Sequence, residues 1–255
     1  MRFEKWQALG NDYVIVSEPV EQDLVRRICD RHFGVGADGV LVLERSQTPG
    51  FVARLRIFNP DGSEAELSGN GAREAIMYLH RHGWTDARQF SIETIAGEIR
   101  PTIIDERTCR VDMGRATLGA EADVAGRRGQ ELRIGNPQFA ILVSDRDELE
   151  ALDLAVEGPP IENDPRFPDR TNVSFWTPVA ADAIRARIFE RGVGETLSSG
   201  TGAIGAAVAH VLRGGDSPVT VQLDGGELVV DVGEDLHIDL TGWADPVFAG
   251  EWIAS

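Results

Sequence analysis

The sequence predicts an α+β protein of two pseudo-twofold-related domains, each a mixed, curled β-sheet around one central helix. Three pairs of matching segments indicate a tandem duplication: ALGNDYVIV (8–16) with RIGNPQFAILV (133–143), RIFNPDGSE (56–64) with RIFERGVGE (187–195), and SGNGAREAIMYLHRHGW with SGTGAIGAAVAHVLRGG, which begin at Ser68 and Ser199. The pairs keep the same order and lie 125, 131 and 131 residues apart. Chance similarity among glycine-rich loops does not readily produce such a pattern.

The duplication suggests where the chain divides. We expect an N-terminal domain over residues 1–117 and a C-terminal domain over 118–255, joined by the Gly/Ala/Arg-rich stretch GRATLGAEADVAGRRGQ (114–130), with a final strand that could return to the first domain. A chain of 255 residues, 42% of them hydrophobic, is long enough to give each domain its own core.

Each half is predicted to contain several short strands and one long helix. In the first half, FEKWQAL and YVIVS form a hairpin, DLVRRICDRHF is a short outer helix, VLVLERS and VARLRIFN continue the sheet, and GAREAIMYLHRHG is the long helix. Ala72, Ala75, Ile76 and Leu79 give that helix an apolar stripe, and Gly83 is its expected C-cap. The matching helix after Ser199 is almost wholly apolar and must therefore be buried, most simply inside a sheet.

A glycine-centred hairpin is predicted after each long helix. The two segments are FSIETIAGEIRPTII in the first half and VTVQLDGGELVVDV in the second.

The composition excludes several classes of protein. A net charge of −17 with no Lys/Arg run disfavours nucleic acid and membrane surfaces as partners, and the chain has neither a signal-peptide core nor 18 consecutive apolar residues. We therefore expect a cytoplasmic protein, in agreement with the isolated Cys29 and Cys109. The five histidines are scattered, so no metal site is expected. The single lysine, Lys5, lies in the first predicted strand, so we expect no pyridoxal phosphate and no other cofactor.

The two matched helix starts suggest the chemistry. A helix N-terminus offers unpaired N–H groups and partial positive charge, so it can hold a carboxylate without a basic side chain. Two such ends around one cleft at the domain junction would place Ser68 and Ser199 on opposite sides of a ligand. One group could then take a proton from a carbon next to a carboxylate while the other returns a proton to the opposite face.

Several motifs resemble the diaminopimelate epimerase family over nearly the whole chain. They are GNDYV, FNPDGSEAELSGNGAR, ETIAGEI, GNPQFAILV, FPDRTNV, ERGVGETLSSGTGA and the closing DPVFAGEWI. The resemblance implies the epimerase fold, a homodimer, and cofactor-independent interconversion of LL- and meso-diaminopimelate in lysine and peptidoglycan biosynthesis. In that family the two bases are cysteines, whereas this chain has Ser68 and Ser199 at those positions.

The serines leave three interpretations open. A thiol titrates near pH 8.5 whereas an alcohol titrates far higher, so serine alone is a poor base. The chain could be an active-site variant that traps substrate, a natural epimerase or racemase that works with serines, or a paralogue that binds or isomerises another amino acid. In related folds that use an acidic residue instead of thiols, the equivalent candidate here would be Glu190 or Glu64.

The resemblance also assigns substrate contacts. Amide side chains suited to a zwitterion are Asn11, Asn59, Asn136 and Asn172, although an Asn before Gly or Pro is ordinarily a turn residue. Glu190 and Arg191 would hold an ammonium and a carboxylate, the alternative being a surface ion pair, and Gly69, Asn70, Gly200 and Thr201 would supply N–H groups. Two positions depart from the family pattern: Gln138 and Asp164 stand where histidine is usual.

Overall fold

The computed structural model describes residues 1–65 and 68–253. The chain forms two compact units, one comprising Met1–Asp112 and Gly242–Ser255 and the other Met113–Thr241. Within the described ranges, no helix has the length and apolar character needed to cross a membrane.

The first unit is built on a mixed sheet with two helices. The strands of that sheet are β1 (Arg2–Ala8), β2 (Asn11–Val16), β3 (Gly39–Arg45), β4 (Ala53–Phe58), β5 (Glu64–Ala65), β6 (Ile92–Thr94), β7 (Gly97–Ile99) and β19 (Asp245–Glu251), and the helices are α1 (Gln22–Cys29) and α2 (Gly69–Arg81). Strand β8 (Pro101–Ile103) follows β7 outside that sheet, and β9 (Thr108–Arg115) begins in the first unit and ends in the second. The sheet order is β19-β1-β2-β3-β4-β6-β7, with β5 against β4. The pairs β2–β3 and β4–β6 are parallel, and β8 and β9 form an antiparallel hairpin.

The second unit has the same kind of sheet. Its strands are β10 (Thr117–Val124), β11 (Arg127–Ile134), β12 (Asn136–Leu142), β13 (Asn172–Ala180), β14 (Ala183–Glu190), β15 (Gly194–Thr196), β16 (Val219–Leu223), β17 (Gly226–Val232) and β18 (His237–Trp243), and its helices are α3 (Arg146–Ala151), α4 (Leu154–Glu162) and α5 (Gly200–Leu212). The order is β10-β11-β12-β13-β14-β16-β17-β18, with β15 against β14. The pairs β12–β13 and β14–β16 are parallel.

The internal repeat is visible in the order of these elements. Each unit has a hairpin, a parallel step to a second hairpin, a short strand, a long helix and a parallel step to a third hairpin. These are β1–β2, β3–β4, β5, α2 and β6–β7 in the first unit, and β11–β12, β13–β14, β15, α5 and β16–β17 in the second. The mixed-sheet α+β fold predicted from the sequence is therefore confirmed.

Each long helix packs against the strands of its own unit. Helix α2 contacts β1, β2, β3, β8 and β19, while α5 contacts β11, β12, β13, β14, β16 and β17. The apolar stripe predicted on α2 is fully buried, and every residue of α5 from Gly202 to His210 is buried. At the end of α2, Gly83 has φ +62°, the N–H of Gly83 donates to His80 O and that of Trp84 to Leu79 O. This pair of bonds is a Schellman motif and confirms the glycine stop.

The stretch 114–130 is not a linker. It contains all of β10 and the beginning of β11, which pair antiparallel from Thr117↔Arg133 to Val124↔Arg127. The expectation was wrong because Thr117 to Glu121 are exposed and only Ala122 and Val124 of β10 are buried. An exposed strand does not show the alternation of apolar and polar residues by which strands are recognised in a sequence.

Candidate active site

Ser68 lies directly before α2, where the sequence predicts a helix to begin, and it is the N-cap of that helix. Its backbone is extended, with φ −131°, and its Oγ accepts a hydrogen bond from the Gly71 N–H at 3.1 Å. The same Oγ accepts a second hydrogen bond from the Tyr13 hydroxyl at 3.2 Å. A Cβ on Gly71 would lie 3.1 Å from Leu41 Cδ2 and 3.4 Å from Ser68 Oγ, so the glycine lets the turn fit closely around the serine.

Ser199 has the same place in the second unit. It is the N-cap of α5, with φ −140°, and its Oγ accepts from the Gly202 N–H at 3.2 Å. Its side chain is buried, whereas that of Ser68 is half-buried. A Cβ on Gly202 would lie 2.6 Å from Ile188 Cγ2, so glycine is required for this approach of helix and strand.

The first turns of these helices keep their positive character. Neither first turn contains an acidic residue, so no carboxylate within these turns offsets the partial charge of the N–H groups. The predicted N–H donors Gly69 and Asn70 begin α2, and Gly200 and Thr201 begin α5. The Asn70 side chain is buried and its Oδ1 accepts from Arg73 Nη2 at 2.7 Å, which fixes the amide. Each turn is therefore suited to binding a carboxylate.

In the second unit, Asn172 joins two of the predicted site segments. It is 2% exposed at the start of β13, its Oδ1 accepts from the Arg191 backbone N–H at 2.8 Å, and its Nδ2 donates to Thr201 Oγ1 at 3.3 Å. The amide thus ties the loop after β14 to the first turn of α5. Gln138 on β12 is the strand neighbour of Asn172 and donates to Asn136 Oδ1 at 2.6 Å.

The side chains of Glu190 and Arg191 have different partners. Arg191 Nη1 donates to the Asp169 carbonyl at 2.8 Å, and Glu190 Oε1 accepts from the Thr196 hydroxyl at 3.0 Å. Glu64, the other acidic candidate, binds Arg56 through both carboxylate oxygens at 2.8 and 2.9 Å. These bonds to Arg56 lower the pKa of Glu64, which makes it a weaker base.

The predicted substrate contacts Asn11 and Asn59 of the first unit both have partners within the protein. Asn11 Nδ2 donates to Asp38 Oδ2 at 2.7 Å. Asn59 donates to Ser63 through its side chain at 3.0 Å and through its backbone N–H at 2.9 Å, as turn residues do. A substrate contact for either residue stays a prediction.

The two departures from the family pattern have different surroundings. Gln138 is 1% exposed, and its Oε1 has no hydrogen-bond partner among the described residues. Asp164 Oδ1 accepts from the Arg166 N–H at 2.9 Å, in the loop after α4. The sequence did not indicate the unpaired amide oxygen, because burial of one glutamine side chain depends on the elements that cover it.

The two cysteines cannot replace the missing thiols. Cys29 and Cys109 are free and buried, and burial raises the pKa of each to about 12. A buried thiol with a raised pKa provides little thiolate at neutral pH.

Sequence reasoning did not identify Tyr13 as a site residue. It is 55 positions from Ser68 in the chain, and its hydroxyl contact depends on the docking of α2 against β2. The GNDYV motif contained this tyrosine, but nothing in its spacing indicated a bond to the serine.

The relatives of this chain show that it is an isomerase of the amino-acid epimerase class. The chain belongs to the diaminopimelate epimerase family, because the family model described as "Diaminopimelate epimerase" matches residues 3–119 and 132–245. The diaminopimelate epimerase of Pelotomaculum thermopropionicum is 40% identical over 281 aligned positions that cover 99% of both chains. That of Aromatoleum aromaticum is 40% identical over 274 positions that cover 98% of both.

A solved structure shows the same fold. The phenazine biosynthesis protein of the PhzF family from Bacillus anthracis superposes with a TM-score of 0.77, covering 100% of this chain and 99% of its own, at 18% identity. Likeness at this identity concerns the fold alone.

Proposed function

We propose that this protein is a diaminopimelate epimerase that works without a cofactor and uses Ser68 and Ser199 as its two acid/base groups. The observation that carries the proposal is that both serines cap the buried helix of their repeat at the same position. One serine takes the α-proton of the substrate, and the other returns a proton to the opposite face. Repeated in both directions, this transfer interconverts the LL and meso forms.

The helix N-termini stabilise the charge that develops during the transfer. Removing the α-proton places negative charge on the carbon and its carboxylate, and preorganised N–H groups stabilise such charge without reorganisation. Gly69 and Asn70 from one helix, with Gly200 and Thr201 from the other, supply these groups. Asn70 suits this role because its side chain is already fixed by Arg73.

The remaining polar residues select a substrate with two amino-acid ends. Glu190 pairs with an ammonium and Arg191 with a carboxylate, while Asn11, Asn59, Asn136 and Asn172 donate to or accept from the zwitterion. A short monocarboxylic amino acid has no second charged end for Glu190 and Arg191 to bind. It would gain fewer contacts from the same residues, so we expect alanine and proline to be excluded.

The serines should make the reaction slow. An alcohol provides very little conjugate base at neutral pH, and positioned acid/base catalysis contributes about 10²–10⁴-fold to a rate. The first-turn N–H bonds from Gly71 and Gly202 stabilise an alkoxide only in part. We therefore expect binding comparable to that of a thiol form and much slower turnover.

The test is α-hydrogen exchange in deuterium oxide, followed by NMR. Ser68→Cys/Ser199→Cys is expected to exchange the α-hydrogen of LL- and meso-diaminopimelate at least about 100-fold faster than the unmodified chain. Ser68→Ala/Ser199→Ala is the matched control and should bind without exchange. If the cysteine form binds diaminopimelate but gives no exchange, these positions are not the acid/base groups.

Calorimetric titration tests the substrate separately. Diaminopimelate should bind and alanine and proline should not, and Arg191→Ala should weaken binding at least about tenfold, or 1.4 kcal/mol. Tight binding of proline that does not depend on Arg191 would instead indicate a racemase for another amino acid. Binding of diaminopimelate with no exchange by any variant would indicate an amino-acid-binding paralogue.

We also infer a cytoplasmic homodimer. Family membership and a net charge of −17 support this setting. Light scattering that gives a monomer mass at micromolar concentration would contradict the dimer.

A further inference from the structure

The two capping serines differ in their hydrogen bonds. Ser68 Oγ accepts from the Gly71 N–H at 3.1 Å and from the Tyr13 hydroxyl at 3.2 Å. For Ser199 Oγ, the only donor within the described parts of the chain is the Gly202 N–H, at 3.2 Å. The cap bond is thus common to both repeats, and the tyrosine bond is particular to the first.

The second bond changes what the Ser68 hydroxyl can do. A serine hydroxyl has two lone pairs and one hydrogen. When both lone pairs accept, as at Ser68, the hydroxyl hydrogen points away from both donors and is available to an acceptor. Two donors on one oxygen also stabilise negative charge on that oxygen.

The Tyr13 ring is held firmly enough for this role. Tyr13 lies on β2 between Trp6 on β1 and Gly39 on β3, and it is 6% exposed. An ideal Cβ on Gly39 would lie 2.5 Å from Tyr13 Cε1, so the ring occupies the space that this glycine leaves open. Strand pairing on both sides and contact with Gly39 fix the direction of the phenol.

We propose that Tyr13 is a positioning residue of Ser68, which holds the serine hydroxyl toward the substrate and replaces its proton during transfer. This role presupposes the epimerase function proposed above. When Ser68 protonates the α-carbanion, its O–H bond breaks and a Cα–H bond forms. The Tyr13 O–H bond then breaks, the Ser68 O–H bond re-forms, and the negative charge ends on the phenol oxygen.

The relay is favourable in energy because a phenol is far more acidic than an alcohol. The ordinary pKa of tyrosine is about 10. In the reverse direction, a Tyr13 phenolate accepts the Ser68 proton while Ser68 takes the α-proton, so a base becomes available at lower pH than serine alone allows. Exchange at the Ser68 face should therefore rise with pH as a phenol titrates.

The first measurement does not need turnover. In Ser68→Cys, the thiolate reacts with iodoacetamide, and mass spectrometry measures alkylation at position 68 separately from the buried Cys29 and Cys109. Adding Tyr13→Phe removes one donor to the thiolate and should slow alkylation at pH 7 about tenfold. The matched control is Tyr78→Phe, the same change at the other tyrosine of the chain, which lies on α2 against Trp6 and His82 and should leave the rate unchanged.

Misfolding cannot imitate the expected result. An unfolded chain would expose residue 68 and be alkylated faster, so a slower rate reports the lost hydrogen bond. A rate within twofold of the Ser68→Cys parent would overturn the role of Tyr13.

The second measurement is the pH profile of α-hydrogen exchange between pH 6.5 and 10.5. In the unmodified chain, exchange should rise with pH, and Tyr13→Phe should lower it and remove the rise, while Tyr78→Phe keeps both. If Ser68→Cys/Ser199→Cys gives no exchange although Tyr13→Phe slows alkylation, the epimerase proposal is wrong, while the hydrogen bond from Tyr13 to position 68 is supported. If the cysteine form exchanges and Tyr13→Phe changes neither alkylation nor the profile, the Tyr13 role fails and the epimerase function stands.

Discussion

The carboxyl group of Glu74 offers a test of the buried face of α2. Glu74 and its neighbour Arg73 are both 0% exposed. Burial raises the pKa of Glu74 well above its ordinary value of 4.5, although the charge of Arg73 opposes the change. We predict that Glu74→Gln, which keeps the shape of the side chain and removes its titration, stabilises the protein at neutral pH more than at acidic pH.

The size of the effect follows from proton linkage. Between pH 4.5 and the raised folded-state pKa, the folded protein binds up to one more proton than the unfolded chain, so its stability falls as pH rises. One proton corresponds to at most about 1.4 kcal/mol per pH unit. From pH 5.5 to 7.5, the free energy of unfolding of Glu74→Gln should therefore gain up to about 2.7 kcal/mol on that of the unmodified chain.

Urea denaturation followed by tryptophan fluorescence at pH 5.5, 6.5 and 7.5 measures this difference. The values at pH 5.5 serve as the reference, because any loss of packing by the variant is present there too. A difference that stays constant over the three pH values, or that shrinks as pH rises, would refute the raised pKa of Glu74.

Two further changes test the packing around the capping serines. Asn172→Ala leaves the Arg191 N–H and the Thr201 hydroxyl without their partner, so it should lower the free energy of unfolding in urea titration by about 2–4 kcal/mol. A loss below about 0.5 kcal/mol would show that the amide does not hold these segments together. Gly39→Ala would place a Cβ 2.4 Å from Phe58 O and 2.5 Å from the Tyr13 ring. It should lower the free energy of unfolding by about 1–3 kcal/mol in the same assay. An unchanged urea midpoint would contradict the close fit around Gly39.

Features encoded locally could be predicted from the sequence. The helix starts after Ser68 and Ser199, the apolar stripe of α2 and the glycine stop at Gly83 each depend on residues within one helix and its flanks. The repeat added a second copy of two signals, which is why the long helix and the hairpin after it could be predicted in both units. The wrong expectation for 114–130 concerned a mostly exposed strand, where burial leaves no periodic pattern.

Contacts between distant segments could not be predicted in this way. Tyr13 reaches Ser68 across 55 residues, and Asn11 reaches Asp38 across 27. Strand pairing brings these partners together, and the hydrophobic periodicity of the sequence does not show which strands pair. From the sequence, Asn59 could be either a substrate contact or a turn residue, because an asparagine side chain suits both roles. In the structure it makes the hydrogen bonds of a turn residue.

The capping serines combine a structural and a chemical role that favour different atoms. An oxygen accepts the first-turn N–H well, as the 3.1 and 3.2 Å bonds at Ser68 and Ser199 illustrate, and loss of such a cap typically costs about 1 kcal/mol. Sulfur accepts weakly but ionises readily, so cysteine at the same position gives up part of the cap and gains an available base. Serine at both positions therefore favours the stability of the helix starts over proton transfer. A second donor such as Tyr13 then matters more than it would beside a thiol, because the oxygen it contacts cannot reach its anionic form without assistance.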